Sequence, residues 1–217
     1  MRKKALWGSG LIALALLAGP SFAAEGPPAM SLPRPQTDGG KPLMEALKLR
    51  KSTRTFSEKK LPPQVLSNLL WAAFGVNRPG SGKRTAPSAM NWQEIDIYVA
   101  LAEGVYLYDA EAHALKPVLA KDLRTATGKQ HFVKGAPVNL VFVADYARIK
   151  RVGDDVKDFY SATDTGFISQ NVYLFCASEG LGTVVRGWVD KPALAKEMGL
   201  RPDQKVILAQ TVGYPEK

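Results

Sequence analysis

The stretch from about Tyr160 to Glu179 constrains this chain more than any other. Phe167, Ile168, Val172, Leu174 and Phe175 spread apolar surface most of the way round one helix. At 1.5 Å per residue that helix is about 30 Å long. Such a helix belongs inside a core or a subunit interface, and the rest of the fold has to be arranged around it. Gly180 ends it, and "GLGTVVRGW" (180–188) leads into a short strand or loop.

The flanking segments supply both kinds of element. A helix is expected from Pro42 to about Leu49, with Leu43, Leu47 and Met44 turned inward. A second starts at Pro62-Pro63 and repeats Val65, Leu66, Leu69, Leu70, Ala73 and Phe74 at helical spacing until Gly75. A short one is expected from Pro192 to Met198. Residues 95–101 and 104–109 read as strands close enough for a hairpin, Val138–Ala144 as a buried strand, and 205–215 as the last strand. Residues 77–89 read as loop. Helices mixed with antiparallel neighbours indicate an α+β fold, an antiparallel central sheet flanked by helices.

The N-terminus carries a different message. Arg2, Lys3 and Lys4 precede an apolar run from about Leu11 to Ala18, then Gly19-Pro20 and small residues up to Ala23. This is the pattern of a signal peptide cleaved after Ala23. The apolar run falls short of the ~20 residues a membrane span needs, so no stable span is expected after cleavage. The division expected is therefore a signal peptide at 1–23, a Pro-rich linker at 24–41 and one domain at 42–217, in a periplasmic or secreted protein. Loss of three basic residues lowers the formal net charge from +9 to +6. That balance favours anionic ligands. The charges are scattered rather than interleaved with aromatics, which argues against nucleic acid. The single cysteine, Cys176, excludes an internal disulfide and reads as a core side chain. His113 and His131 lack metal-site spacing, and no Gly-x-Ser-x-Gly elbow supports a hydrolase.

Three constellations carry chemistry. In "LRKSTRTF" (49–56), Arg50, Lys51 and Arg54 crowd around Ser52 at a turn. This is either a solvated basic surface or a cradle for an anion such as phosphate, which wants cationic forks, hydroxyls and free N–H groups. In "RTAPSAMNWQEIDIYV", Pro87, Ser88 and Ala89 form a small kinked loop. Asn91 either caps that loop or reaches the edge of a flat heterocycle. In the third, glycines beside Val185, Arg186 and Gly187 permit close backbone approach, or simply a tight connection.

The order and spacing of these pieces resemble the nitroreductase family of FMN-dependent oxidoreductases. "LLWAAFGVN", "RTAPSAMNWQEIDIYVA", "GVYLYDAEAHAL", "KGAPVNLVFVADYARI", "DTGFISQNVYLFCASEGLG" and "VGYP" are most similar to the branch holding the azoline dehydrogenases of thiazole- and oxazole-forming pathways. The resemblance implies an intertwined homodimer with two shared FMN sites. It implies that Arg50, Ser52 and Arg54, with Lys51 beside them, grip the phosphate and the ribityl or pyrimidine edge. Pro87, Ser88, Ala89 and Asn91 would reach the flavin from the partner subunit. Val185, Arg186 and Gly187 would bring backbone N–H groups toward N5. Arg54 is the candidate cation near N1/O2. Hydride would pass between a donor and a small organic acceptor on one flavin face, a ping-pong cycle that requires no catalytic side chain. No metal is implied.

Two departures from the family pattern bear on this expectation. The chain has at most Lys217 as a basic residue after the last strand, where many members add phosphate-binding cations. The lysine–tyrosine pair of the azoline branch has no counterpart, so azoline oxidation is not carried over. Export also removes the enzyme from cytoplasmic pyridine nucleotides and leaves the electron donor open. The alternative expectation is a non-catalytic flavin- or ligand-binding module of the cell envelope.

Overall fold

The computed structural model describes residues 28–216. The expected signal segment therefore lies outside the described residues. In chain order the elements are β1 (Met30–Ser31), α1 (Leu43–Leu49), α2 (Pro63–Phe74), β2 (Val76–Arg78), β3 (Lys83–Arg84), β4 (Ile95–Leu101), β5 (Gly104–Asp109), β6 (Ala114–Leu119), β7 (Val138–Asp145), α3 (Asp154–Glu179), β8 (Gly182–Arg186), α4 (Lys191–Glu197) and β9 (Gln204–Gly213). Seven strands form one sheet in the order β1-β6-β5-β4-β7-β9-β8, and every pairing in it is antiparallel. The expected α+β architecture, an antiparallel sheet flanked by helices, is what forms.

β7 lies inside the sheet between β4 and β9, and all eight of its residues are buried. Leu140 and Phe142 face one layer with Ile97 and Val99 of β4, Leu69 and Leu70 of α2, and Ile168 and Val172 of α3. Val141 and Val143 face the other layer with Tyr98, Leu194, Met198 and Val206. Burial on both faces explains why "VNLVFVAD" shows almost no alternation. Each such side chain contributes roughly 1.5–3 kcal/mol, so the two layers lock β7 and fix the register of its neighbours.

Several elements differ from expectation. α3 begins at Asp154 rather than near Tyr160, because Asp154 and Asp155 in its first turn favour a helix N-terminus electrostatically without any apolar pattern. β6 was not expected, since Lys116 and Pro117 interrupt it. Residues 77–89 hold the small β2–β3 hairpin. Leu43, Met44 and Leu47 do not face inward: they are 63%, 75% and 44% exposed, and α1 buries only Ala46. The pattern marked a real apolar face, but among the described residues nothing covers it. Residues 28–41 lie extended against the fold. Ser67 donates to the Pro33 carbonyl at 2.6 Å, Gln64 to the Arg34 carbonyl at 3.0 Å, and the Gln36 N–H to Asn68 at 2.9 Å.

Candidate functional site

The Arg50–Arg54 turn follows α1 and runs along the outer edge of β8. β8 pairs with β9 on one side only. The Thr53 N–H donates to the Thr183 carbonyl at 2.9 Å, and the Val185 N–H donates to the Tyr173 hydroxyl at 3.0 Å. Odd-numbered residues of β8 therefore turn their backbone groups outward. Gly182 permits this docking, because a Cβ there would sit 2.8 Å from Thr53 Cγ2. Beyond β9, the Phe56–Pro215 bridge fastens the far end of the turn.

Arg50, Lys51, Ser52 and Arg54 are exposed. Among the described residues, none of the three cations makes an ion pair. The fold thus spends no carboxylate on neutralising them. Ser52 Oγ lies 2.9 Å from the Tyr173 hydroxyl, and the Arg50 guanidinium stands 5.4 Å from the Tyr173 ring centre. Free cations and a hydroxyl at a turn fit a phosphate group, so the residues present fit the FMN that the sequence resemblance implies.

Within 185–187 the three residues divide. Val185 is half-buried and its N–H is taken by Tyr173. The Arg186 side chain points into the protein. Its guanidinium donates to Thr127 O at 2.6 Å, Asn139 Oδ1 at 3.0 Å and Thr211 Oγ1 at 3.0 Å. A side chain on Gly128 would collide with it. Burial pulls the guanidinium down to about 10, still charged at neutral pH. Arg186 is therefore a structural cation, and its side chain is not free for a ligand. Gly187 is exposed, which leaves its N–H as the donor best placed to approach one.

The 87–91 loop lies elsewhere. The Ala89 N–H donates to Asp164 Oδ2 at 2.9 Å. Asp164 and Tyr173 are nine residues apart on α3, about 14 Å of helix rise. One protomer therefore does not bring this loop to the turn. The loop is held under strain: Met90, Asn91 and Gln93 have φ of 49°, 56° and 48°, a region that side chains other than glycine seldom adopt. Ser88 Oγ accepts from the Gln93 N–H at 2.8 Å and donates to Glu94 Oε2 at 3.1 Å. Arg148 donates to the Gln93 carbonyl at 2.8 Å. Pro87 and Asn91 stay exposed, and Met90 is 82% exposed.

Three residues here escaped sequence reasoning: Tyr173, Glu94 and Asp164. Glu94 is fully buried with Oε1 unpartnered. Burial, reinforced by the neighbouring Asp164 charge, pushes its carboxyl up to about 7. A usable signal existed, because Asp164 is the one carboxylate between Asp158 and Glu179 on α3 and Glu94 immediately precedes an apolar strand. The histidines carry no site. His113 is held by Ser67 at 2.7 Å and Tyr108 at 3.0 Å. Among the described residues no carboxylate, cysteine and histidine cluster could hold a metal ion, and no helix is long and apolar enough to cross a membrane.

Comparison with known proteins gives this geometry a context. A nitroreductase-family protein of Methanocaldococcus jannaschii is 37% identical over 155 residues, covering 67% of this chain and 78% of the relative. A solved nitroreductase-family structure from Ralstonia eutropha JMP134 superposes with a TM-score of 0.84 at 48% identity, covering 87% of this chain and 90% of that one. Another, from Desulfovibrio desulfuricans and in complex with FMN, has the same fold at a TM-score of 0.60 and 21% identity, covering 82% and 89%. The model of the Nitroreductase family itself matches residues 47–214, from the helix before the basic turn to the end of the last strand; this chain belongs to the nitroreductase family.

Proposed function

We propose that this chain is an FMN-dependent oxidoreductase that works outside the cytoplasm. In this reading it is a homodimer that passes hydride from a donor to a small organic acceptor in a ping-pong cycle. The observation that carries the reading is the docking of an unneutralised basic turn on the free edge of β8. Family membership and the FMN-bound relative support the choice of cofactor.

When bound, FMN supplies the hydride chemistry that no side chain here provides. Arg50, Lys51 and Ser52 hold its phosphate by charge-assisted hydrogen bonds. Arg54 offers a cation to the pyrimidine edge, and the Gly187 N–H orients the ring. A second copy is needed for the remaining contacts, because the 87–91 loop sits about 14 Å along α3 from Tyr173. The partner's loop then completes each site, with the exposed Asn91 offering its amide N–H while its oxygen accepts from Gln93 Nε2 at 3.1 Å. Exposed Leu43, Met44 and Leu47 of α1 and Phe159 and Phe167 of α3 supply apolar surface for that association.

The catalytic reading is tested by running the two half-reactions separately on the purified protein with bound FMN. A chemical or enzymatic donor should bleach the flavin absorbance, and a quinone or nitroaromatic acceptor should restore it. A bound flavin that no donor reduces would point instead to a binding module. Export is tested by cell fractionation with N-terminal sequencing. A mature N-terminus near Ala24 in the periplasm is expected, and an intact N-terminus in the cytoplasm would contradict export.

A further inference from the structure

We propose that Tyr173 fixes the direction of the Ser52 hydroxyl, making the basic turn a donor-only cradle that selects the phosphate ester FMN over neutral riboflavin. The proposal rests on the FMN reading above and assigns a positioning role to a residue on the far side of the turn.

The chain of donors starts at Val185. Its N–H points away from β9 and donates to the Tyr173 hydroxyl oxygen at 3.0 Å. That phenol is 8% exposed, and its second neighbour is Ser52 Oγ at 2.9 Å. Among the described residues no other group bonds to it. If Ser52 donated to Tyr173, the phenolic hydrogen would be buried without an acceptor, which is costly. The arrangement that satisfies every group runs one way. Val185 N–H donates to Tyr173, Tyr173 O–H donates to Ser52 Oγ, and the Ser52 hydrogen is left pointing outward. Successive donors polarise one another and strengthen the last.

The same ring also steadies Arg50, whose guanidinium stands 5.4 Å from its centre. Tyr173 therefore sets two of the groups that meet the ligand. Arginine and lysine offer donors only, and Ser52 is turned into one as well. A phosphate presents only acceptors and matches this set. The terminal hydroxyl of riboflavin is neutral and gains little from it.

The test is titration of wild-type protein, Tyr173→Phe, Ser52→Ala and the double variant with FMN and with riboflavin, followed by flavin fluorescence. Tyr173→Phe should weaken FMN about tenfold while leaving riboflavin within about twofold, and the double variant should bind FMN no worse than Ser52→Ala alone. Equal weakening of both flavins would reduce Tyr173 to general support and overturn the proposal. So would unchanged FMN affinity in Tyr173→Phe while wild-type protein binds FMN. A wild-type protein that binds neither flavin would overturn the FMN reading itself and this proposal with it.

Discussion

The carboxyl groups of Glu94 and Asp164 meet beneath one loop, and each holds it. Glu94 accepts from the Ser88 hydroxyl at 3.1 Å, and Asp164 accepts from the Ala89 N–H at 2.9 Å. The loop between them and β4 carries three left-handed residues, Met90, Asn91 and Gln93. Burial, with the like charge of Asp164 beside it, disfavours the ionised form of Glu94 and raises its carboxyl to about 7.

Stability should consequently depend on pH in an unusual direction. Glu94 titrates near 7 in the folded protein, against 4.5 for an ordinary glutamate. The folded state therefore binds more protons than the unfolded state between those values, and this contribution falls as pH rises. It is fully present below about pH 4.5 and lost above about pH 7. Urea denaturation across this range should show a declining contribution that Glu94→Gln removes. Parallel pH profiles for the two proteins would contradict the assignment.

Arg50→Ala and Arg54→Ala should each weaken FMN binding by about 1.5–3 kcal/mol through loss of a charge-assisted hydrogen bond. Both side chains are exposed, so melting temperatures of the flavin-free protein should barely move. Titration at two salt concentrations checks the electrostatic origin, because the defect should shrink at high salt.

Arg186→Ala should behave in the opposite way. Its guanidinium satisfies Thr127, Asn139 and Thr211 inside the protein. Removing it leaves the Thr127 carbonyl without its donor, while Thr211 still donates to Asn139, and should lower the unfolding free energy by about 3 kcal/mol. Equilibrium denaturation measures this directly.

A charge on the uncovered apolar face should prevent association. Met44 and Phe167 are 75% and 44% exposed, so Met44→Glu and Phe167→Glu should fold as monomers. Sedimentation velocity should show the change in mass, and FMN affinity should fall although neither residue belongs to the basic turn.

The sequence made the central elements legible where burial left a pattern. Leu66, Leu69, Leu70 and Phe74 announced α2, and the apolar run Val138–Ala144 announced β7. It concealed β6 because Pro117 breaks the strand signal. In the structure β1 pairs only with Ala114 and Leu115, so Pro117 lies beyond the end of that pairing, where a missing N–H is tolerated. The apolar face of α1 was visible, but a single chain's pattern does not say which molecule covers it. At the site, the basic turn stood out because its residues are contiguous. Tyr173 and the Glu94–Asp164 pair did not, because their roles arise from contacts across 121 residues to Ser52 and 75 residues between Asp164 and Ala89.

The most direct test of the account is the visible absorption spectrum of the purified mature protein before and after adding FMN, with the released cofactor identified. The expected result is a flavin spectrum with one FMN per subunit, and weaker retention of FMN in Arg50→Ala. A folded protein that shows no flavin absorbance even after saturation with FMN would contradict it.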